Sequence, residues 1–296
     1  MKHQKTQPVT ENKTMKERLI DNLGTGVIES MDPELVRSFD LADKEVPDRL
    51  KDPTKLQMKD GHIKVSGDGV FYTLQGEGPS MGEPTVFLRT HICNLRCTWC
   101  DTPYTWNPKS EGFWTEPEDW TVEDTAEKIK GAWGTSNPDV QKRIVITGGE
   151  PLIQQREIIP LIDELGEDWV VEIETNGTMM PDDELMDRVQ FNVSPKLANS
   201  ENTETARIRP DVIRKLAEGN TTFKFVVMQP EELDEIERDY IEGCEVPVQK
   251  VILMPQGVTA DEVRMNAQHV AEYAKEKGYR LLGRLQNEIW GAKRGV

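Results

Sequence analysis

The sequence contains no apolar run long enough to cross a membrane, and it carries little positive charge. No stretch approaches the roughly 18 consecutive apolar residues of a membrane-spanning helix, and residues 1–7 are polar, without the apolar core of a signal peptide. Lysine and arginine number 36 against 53 aspartates and glutamates, a formal charge of −17 that repels nucleic-acid backbones. We therefore expect a cytoplasmic protein that binds neither membranes nor nucleic acid.

Cysteine is also scarce, and its distribution is uneven. The chain has four cysteines, too few for a disulfide scaffold of this length, and three of them crowd together as Cys93, Cys97 and Cys100. Clustered cysteines without a secretion signal indicate metal or redox chemistry in a reducing compartment. Cys244 stands alone, and we expect it to be a small buried hydrophobe.

Residues 1–62 differ from the rest of the chain. They are polar and contain several prolines, with one short amphipathic helix indicated around Met15–Leu23. They have too few apolar residues for a core of their own, so we expect a partly flexible or loosely docked arm. On this basis residues 63–296 form the functional domain, and removing the first 55 residues should harm catalysis little.

From residue 63 onward, short apolar, β-branched runs alternate with amphipathic helices. Their near-continuous hydrophobicity is typical of strands buried on both faces of a parallel sheet. Helix-start signals stand at Thr121, Pro210, Pro230 and Thr259, and the last of these helices should end at Gly278. About six alternations predict an α/β fold built from right-handed crossover units. The predicted strands are Thr85–Leu88, Arg143–Ile146, Trp169–Ile173, Phe191–Val193, Phe223–Met228 and Lys250–Met254.

Polar residues and glycines follow each predicted strand. In such sheets ligands bind beyond the carboxyl ends of the strands, so these residues should share one site. They are Arg89, Thr147–Pro151, Glu174–Gly177, Ser194–Lys196, Gln229 and Gln256.

The three clustered cysteines have the spacing C-x3-C-x2-C just after a predicted strand. Three thiolates within eight residues can hold three irons of a cubane cluster, and the fourth iron then stays open to a small molecule. Two alternatives remain open: a zinc site with His91 as fourth ligand, and a thioredoxin-like pair of Cys97 and Cys100. The three-cysteine spacing favours the iron–sulfur interpretation.

Together with Gly148-Gly149-Glu150-Pro151, this cysteine motif resembles the signature of the radical S-adenosylmethionine superfamily. Six segments, one of which extends the glycine motif, make the resemblance narrower, and with the cysteine motif they resemble the 7-carboxy-7-deazaguanine synthase family over roughly residues 65–296. The N-terminal arm and an insertion-like stretch, Pro103–Trp120, lie outside it. The six segments are Tyr72–Gly78, Phe87–Arg89, Ile146–Leu152, Glu174–Gly177, Val193–Lys196 and Trp290–Val296.

The resemblance implies a partial (β/α)6-type barrel that carries a 4Fe–4S cluster, S-adenosylmethionine and Mg²⁺. The implied reaction is a radical ring contraction of 6-carboxy-5,6,7,8-tetrahydropterin to 7-carboxy-7-deazaguanine and ammonia, in queuosine-type biosynthesis. A 5′-deoxyadenosyl radical would start it, with electrons from a reductase or flavodoxin-type donor, in a homodimer. The rival functions are another radical enzyme, such as a glycyl-radical activase, and a zinc-stabilised binding module.

The resemblance also assigns residues, none of them as a classical acid or base. Cys93, Cys97 and Cys100 would hold the cluster, and the Thr102 hydroxyl would bind Mg²⁺, a cation that takes oxygen ligands. The cofactor would contact Trp99, Asp101, Gly149, Glu150, Ser194, Pro195, Lys196 and Gln229. The substrate would contact Leu74, Gln75, Gly76, Glu77, Arg89, Thr147, Gln286 and Val296.

Two of these assignments have a chemical rationale of their own, and a third, Gln286, departs from some relatives. The Glu150 carboxylate suits the ammonium group of the cofactor's methionine. Arg89 can fork onto a substrate carboxylate. Gln286 stands where some relatives have histidine, and an amide cannot change its charge near neutral pH.

Overall fold

A nine-stranded mixed sheet organises the chain in the computed structural model, which describes residues 13, 15–47, 51–291 and 293–296. The strand order is β3-β1-β2-β4-β5-β6-β7-β8-β9. β1 pairs antiparallel with β2 and β3, and all later neighbours pair in parallel. The sheet does not close, which confirms the partial barrel. The strands are β1 (His62–Leu74), β2 (Pro84–Thr90), β3 (Glu118–Thr121), β4 (Lys142–Gly148), β5 (Trp169–Thr175), β6 (Gln190–Val193), β7 (Thr221–Val227), β8 (Val251–Pro255) and β9 (Arg280–Leu281).

Helices connect the strands and precede the sheet in the chain. None of the helices described is long and apolar enough to cross a lipid bilayer. They are α1 (Met15–Leu23), α2 (Thr25–Ser30), α3 (Pro33–Glu45), α4 (Glu111–Thr115), α5 (Val122–Ala132), α6 (Gln155–Leu165), α7 (Asp183–Met186), α8 (Glu204–Arg207), α9 (Pro210–Glu218), α10 (Glu231–Glu235), α11 (Ala260–Lys277) and α12 (Leu285–Trp290). A π-helical segment, Ile236–Glu242, continues α10.

The six predicted strands are β2, β4, β5, β6, β7 and β8, which lie side by side in the sheet. Their predicted ends agree with the structure to within two residues. The helix signals are confirmed as well. Thr121 Oγ1 accepts a hydrogen bond from the Asp124 amide at 3.0 Å at the start of α5. Thr259 and Glu262 form a capping box on α11, which stops at Gly278 in the left-handed region.

The strand β1 was not predicted, because its apolar pattern is interrupted. Gly67 and Gly69 adopt φ of 62° and 63° inside the strand, and the pairing with β2 slips between Val65 and Val70. A bulge of this kind bends the strand and breaks the alternation on which strand prediction rests. The last residue of the strand, Leu74, pairs with Pro84 at the start of β2.

The N-terminal region is more ordered than its composition suggested. The predicted helix is α1, with the predicted bounds, and it packs with α2 and α3. Leu19, Leu35 and Phe39 are buried there against Phe113 and Trp114 of the insertion-like stretch. The region therefore shares a hydrophobic cluster with the insertion, and that cluster buries apolar side chains of all three helices. The domain boundary at residue 62 stays a prediction.

Candidate active site at the carboxyl edge of the sheet

A cavity of about 510 Å³ opens at the carboxyl ends of the parallel strands, within the size range of small-molecule sites. The loops after β1, β2, β4, β5 and β6 contribute to its wall, together with β7 and the C-terminal segment. Most of the predicted site residues therefore meet in one place. Those that line the cavity are Leu74, Gln75, Gly76, Glu77, Arg89, Cys93, Cys97, Trp99, Cys100, Asp101, Thr102, Thr147, Gly149, Ser194, Lys196, Gln286 and Val296.

Three predicted cofactor contacts do not line the cavity. Pro195 is buried behind Ser194, and Gln229 is exposed at the end of β7. Glu150 is completely buried beneath the wall. Its carboxylate accepts hydrogen bonds from Thr175 Oγ1 at 2.7 Å and from the Asn176 amide at 2.7 Å. Glu150 therefore ties the end of β5 to the glycine turn, and its oxygens do not face the cavity as expected for an ammonium ligand.

The glycine turn after β4 supports the cysteine loop directly. A Cβ at Gly149 would lie 2.0 Å from the Ile92 carbonyl oxygen and 2.8 Å from the Cys93 amide nitrogen. Only glycine permits this approach. The neighbouring Glu150 amide donates to the Ile92 carbonyl at 2.8 Å. The two predicted motifs, cysteine loop and glycine turn, are thus one packed unit at adjoining strand ends.

The three clustered thiols face the same end of the cavity. Asn202 Nδ2 donates to Cys97 Sγ at 3.2 Å, and Asn176 Nδ2 lies 4.0 Å from Cys93 Sγ. Burial raises the pKa of both the Cys93 and the Cys97 thiol, so thiolates form here only with a strong compensating positive charge. Bound iron supplies that charge, and amide donors at sulfur suit a thiolate-ligated cluster. The residues present therefore fit a three-cysteine iron–sulfur site.

Neither alternative for the cysteines fits as well. Cys97 and Cys100 lie in a turn, with the Cys100 amide donating to the Cys97 carbonyl at 3.2 Å, and not at the start of a helix. His91 lies outside the cavity wall, with its ring 5.1 Å from that of Phe113. Among the residues that the structure describes, no three His, Cys, Asp or Glu side chains are placed to hold a single metal ion.

Another part of the cavity wall holds a network of charges around Glu77, in which Lys224 is buried and the other members are partly buried. Arg284 Nε donates to Glu77 Oε1 at 2.9 Å, and Gln286 Nε2 donates to the same oxygen at 2.8 Å. Lys224 Nζ lies 3.3 Å from Glu77 Oε2 and 2.5 Å from Glu174 Oε2. Burial alone would raise the pKa of Glu77, but Arg284 and Lys224 hold that pKa well below its ordinary value. Glu77 is therefore an anion in the cavity wall.

Lys224 and Arg284 were not predicted as site residues. The sequence signal for Lys224 was present, since a lysine in the middle of an apolar strand needs a buried partner. Arg284 had no such signal, because its partners Glu77 and Asp101 are distant in sequence. Arg284 Nη2 reaches Asp101 Oδ2 at 3.1 Å and so links the C-terminal segment to the cysteine loop.

Replacing Lys224 with methionine should destabilise the fold by about 3 kcal/mol, because two partly buried carboxylates lose their shared partner. The loss should shrink as pH falls towards 5. Burial already raises the pKa of Glu174, and a raised carboxyl pKa costs stability at high pH that protonation restores. Urea unfolding at pH 7 and pH 5 measures both effects. Lys215→Met is the matched control, since Lys215 pairs with exposed Asp183 and Glu218; an equal loss in both variants would contradict the prediction.

The C-terminal segment returns to the cavity and is anchored on the insertion. Arg294 lies 4.0 Å over the Tyr104 ring, and its Nη2 donates to Glu116 Oε2 at 3.0 Å. The Leu285 amide donates to the Gly76 carbonyl at 3.0 Å. Val296 is then part of the cavity wall.

Comparison with known proteins agrees with this arrangement. A model of the radical SAM superfamily matches residues 87–243, the segment that contains the cysteine loop and the glycine turn. The chain therefore belongs to the radical S-adenosylmethionine superfamily, whose members use a 4Fe–4S cluster and S-adenosylmethionine.

The curated relatives define the family more narrowly. The 7-carboxy-7-deazaguanine synthase of Halobacterium salinarum is 33% identical over 261 residues, covering 78% of this chain and 95% of the relative. That of Pyrobaculum aerophilum is 33% identical over 232 residues, with 76% and 95% covered. The chain belongs to the 7-carboxy-7-deazaguanine synthase family. The crystal structure of QueE from Escherichia coli shares the fold, with a TM-score of 0.55 and 24% identity over 76% of this chain and 94% of that one.

Proposed function

We propose that this protein converts 6-carboxy-5,6,7,8-tetrahydropterin to 7-carboxy-7-deazaguanine and ammonia. The observation that carries the proposal is that one cavity wall holds two chemically different groups of side chains. Three thiols form one group, the thiol end, and the network around Glu77 forms the other, the Glu77 end. A cofactor that generates a radical and a polar heterocycle can thus be held side by side.

The thiol end fits the cofactors of the family. Cys93, Cys97 and Cys100 would hold three irons and leave the fourth for S-adenosylmethionine. When bound, the cluster and S-adenosylmethionine supply the organic radical that starts the reaction. Ser194 Oγ accepts from Lys196 Nζ at 2.8 Å, which places a hydroxyl and a cation together in the wall. These two side chains suit the ribose and the carboxylate of the cofactor.

The Glu77 end fits a pterin. The Glu77 carboxylate is an acceptor for the ring's donor edge, and the main chain of Leu74 and Gly76 offers further partners. Gln286 Oε1 is buried and has no hydrogen-bond partner among the described residues, so it is an acceptor ready for a ligand. Arg89 lines the same cavity and would take the substrate carboxylate.

The proposal is tested by turnover under anaerobic conditions. Reconstituted protein with S-adenosylmethionine, Mg²⁺ and dithionite should convert the carboxylated tetrahydropterin to a product with the mass and ultraviolet spectrum of 7-carboxy-7-deazaguanine, with one ammonia released. Tetrahydropterin without the carboxylate is the matched control and should not react. Reductive cleavage of S-adenosylmethionine without change in the carboxylated pterin would contradict the proposed substrate.

The proposal includes a Mg²⁺ site at Thr102. Its hydroxyl lines the cavity beside the cluster ligands, 3.5 Å from Cys100 Sγ. A neutral hydroxyl suffices as a ligand when the substrate carboxylate supplies the charge.

Replacing Thr102 with alanine should raise the Mg²⁺ concentration needed for half-maximal turnover about tenfold and lower the maximal rate, because one oxygen ligand is lost. Iron content should not change, and Thr102→Ser should restore the parent's behaviour. Magnesium titrations of turnover measure the effect. Thr115→Ala, in the insertion that follows Thr102 but outside the cavity, is the control. Superimposable titrations for Thr102→Ala and the parent would remove Thr102 from the metal site.

The remaining parts of the proposal concern location and partners. We place the protein in the cytoplasm as a homodimer that receives electrons from a reductase or flavodoxin-type donor. The family resemblance supports these assignments, and the formal charge of −17 favours a donor that docks through a local patch. Sedimentation at several protein concentrations tests the dimer.

A further inference from the structure

Among the described residues of the N-terminal unit, α1–α3 with the 3₁₀ turn Pro53–Leu56, one charged side chain is completely buried, Asp32. Asp32 caps α3, and its Oδ1 accepts from the Glu34 amide at 2.9 Å. A cap needs only that contact and can stay in water. The burial of this carboxylate therefore calls for other partners.

Those partners lie in the two loops that surround the cluster site. Asp32 Oδ1 also accepts from Arg96 Nε at 3.1 Å, and Oδ2 accepts from Thr203, from its amide at 2.7 Å and its Oγ1 at 3.0 Å. The Asp32 amide donates to the Asn94 carbonyl at 2.8 Å. Asn94 and Arg96 each adjoin a cluster ligand in sequence. One carboxylate thus fixes the cysteine loop and residue 203 relative to each other.

Between these fixed points lies the amide that contacts a ligand sulfur. Asn202 precedes Thr203, and its Nδ2 donates to Cys97 Sγ at 3.2 Å. Its Oδ1 accepts from the Arg96 amide at 2.8 Å. Asn202 Nδ2 also donates to Ser200 Oγ at 3.1 Å. Two of the neighbours that hold Asn202, Arg96 and Thr203, are themselves held by Asp32.

We propose that Asp32 is a positioning residue for the iron–sulfur centre: it holds Arg96 and Thr203 so that Asn202 keeps its hydrogen bond to Cys97 Sγ. Hydrogen bonds to ligand sulfurs stabilise the more negative, reduced cluster and raise its reduction potential. The N-terminal unit is therefore part of the redox site, although it lies outside residues 87–243 that match the superfamily model. This inference rests on the proposed function, because it requires a cluster on Cys97.

The inference replaces the expectation that the first 55 residues can be removed with little effect. Burial alone would raise the pKa of Asp32, but the amides of Thr203 and Glu34 and the Arg96 guanidinium outweigh it and lower that pKa. The carboxylate is thus charged at neutral pH. Removing the unit would leave Arg96 and Thr203 without their common partner.

The test is Asp32→Asn in the full chain, which keeps the side-chain volume and a capping oxygen but cannot accept from Arg96 and Thr203 at once. We expect a midpoint potential more negative than that of the parent, measured by titration followed by electron paramagnetic resonance. We also expect about tenfold faster loss of iron to a chelator. Asn202→Leu should shift the potential in the same direction, and the double variant should shift it no further than Asn202→Leu alone.

Asp52→Asn is the matched control. Asp52 caps the 3₁₀ turn of the same unit and accepts from the Thr54 amide at 3.1 Å, so this variant should keep the parent's potential. Arg96→Ala serves if Asp32→Asn fails to fold, because it leaves the cap intact; it too should lower the potential. Folded Asp32→Asn and Arg96→Ala proteins with the parent's potential would overturn the inference. A parent protein that binds no iron would instead contradict the proposed function.

Discussion

Replacing any one of Cys93, Cys97 and Cys100 with alanine should abolish turnover and remove most of the iron. The parent should carry about four irons per chain after anaerobic reconstitution, by analogy with clusters held by cysteine thiolates. Each thiol faces the same end of the cavity, and no other described cysteine lies nearby to replace it. Iron and sulfide analysis with the 400-nm absorption of the cluster measures the loss.

Cys244→Ala is the control for these variants. Cys244 is fully buried away from the cavity, where its Sγ donates to the Asp239 carbonyl at 3.0 Å. This variant should keep the parent's iron content and turnover, with a stability loss of about 1 kcal/mol for the lost sulfur contacts. A single zinc and no iron in the reconstituted parent would contradict the iron–sulfur interpretation altogether.

The parallel part of the fold could be predicted because its signals are local. β4 and β8 are short apolar runs, and the capping box at the start of α11 is formed by residues three apart in sequence. Periodicity and caps act over a few residues, so a single sequence reveals them. The order of these strands then follows from right-handed crossovers between neighbours.

The N-terminal unit could not be predicted in this way because Ile92, Phe113 and Trp114, from elsewhere in the chain, complete its hydrophobic cluster. Phe39 packs against Phe113, with ring centroids 5.6 Å apart, across more than seventy residues of sequence. The composition of residues 1–62 alone suggested too few apolar side chains. The apolar side chains of the two segments bury one another, and the contact between them can be recognised only in the folded structure.

In the candidate site, too, local features could be predicted and contacts between distant segments could not. The motifs identified which residues approach the cavity, since glycine, cysteine and the residues at strand ends have limited structural roles. They did not reveal that Glu150 is buried and accepts hydrogen bonds from the Thr175 hydroxyl and the Asn176 amide. Nor did they reveal Arg284, which is held by Glu77 and Asp101 from distant parts of the sequence. Side-chain direction and long-range ion pairs depend on tertiary packing, not on spacing.

The prediction for the C-terminal segment uses both the sequence resemblance and contacts seen in the structure. Its resemblance to the family's terminus suggested that the α-carboxylate of Val296 contacts the substrate, whereas tails are usually frayed and tolerant of additions. The structure gives this tail an anchor, because Arg294 stacks on Tyr104 and pairs with Glu116. Both anchor residues belong to the insertion-like stretch Pro103–Trp120. The insertion thus faces the N-terminal unit with one set of side chains and the tail with another.

Adding one glycine after Val296 should therefore weaken substrate binding strongly. In a protein that ends at Val296, the terminal carboxylate is ionised at neutral pH and can accept from the donor edge of a pterin at the cavity wall. The addition converts that charge to a neutral amide and moves the new carboxylate away. Loss of a hydrogen bond to a charged group costs about 1.5–3 kcal/mol, so KM for the pterin should rise roughly ten- to hundredfold. Iron content and S-adenosylmethionine binding should persist.

Two matched variants separate the carboxylate from the side chain and from its anchor. Val296→Ala keeps the chain length and the terminal charge, so its KM should stay near that of the parent. Arg294→Gln keeps the terminus but removes the stacking on Tyr104 and the pairing with Glu116, so it should raise KM in the same direction as the added glycine. Steady-state kinetics with the pterin, at saturating S-adenosylmethionine, compare the three proteins with the parent. If the extended protein had the parent's KM, the Val296 carboxylate would not be a substrate ligand, and the anchored tail would serve only to close the cavity wall.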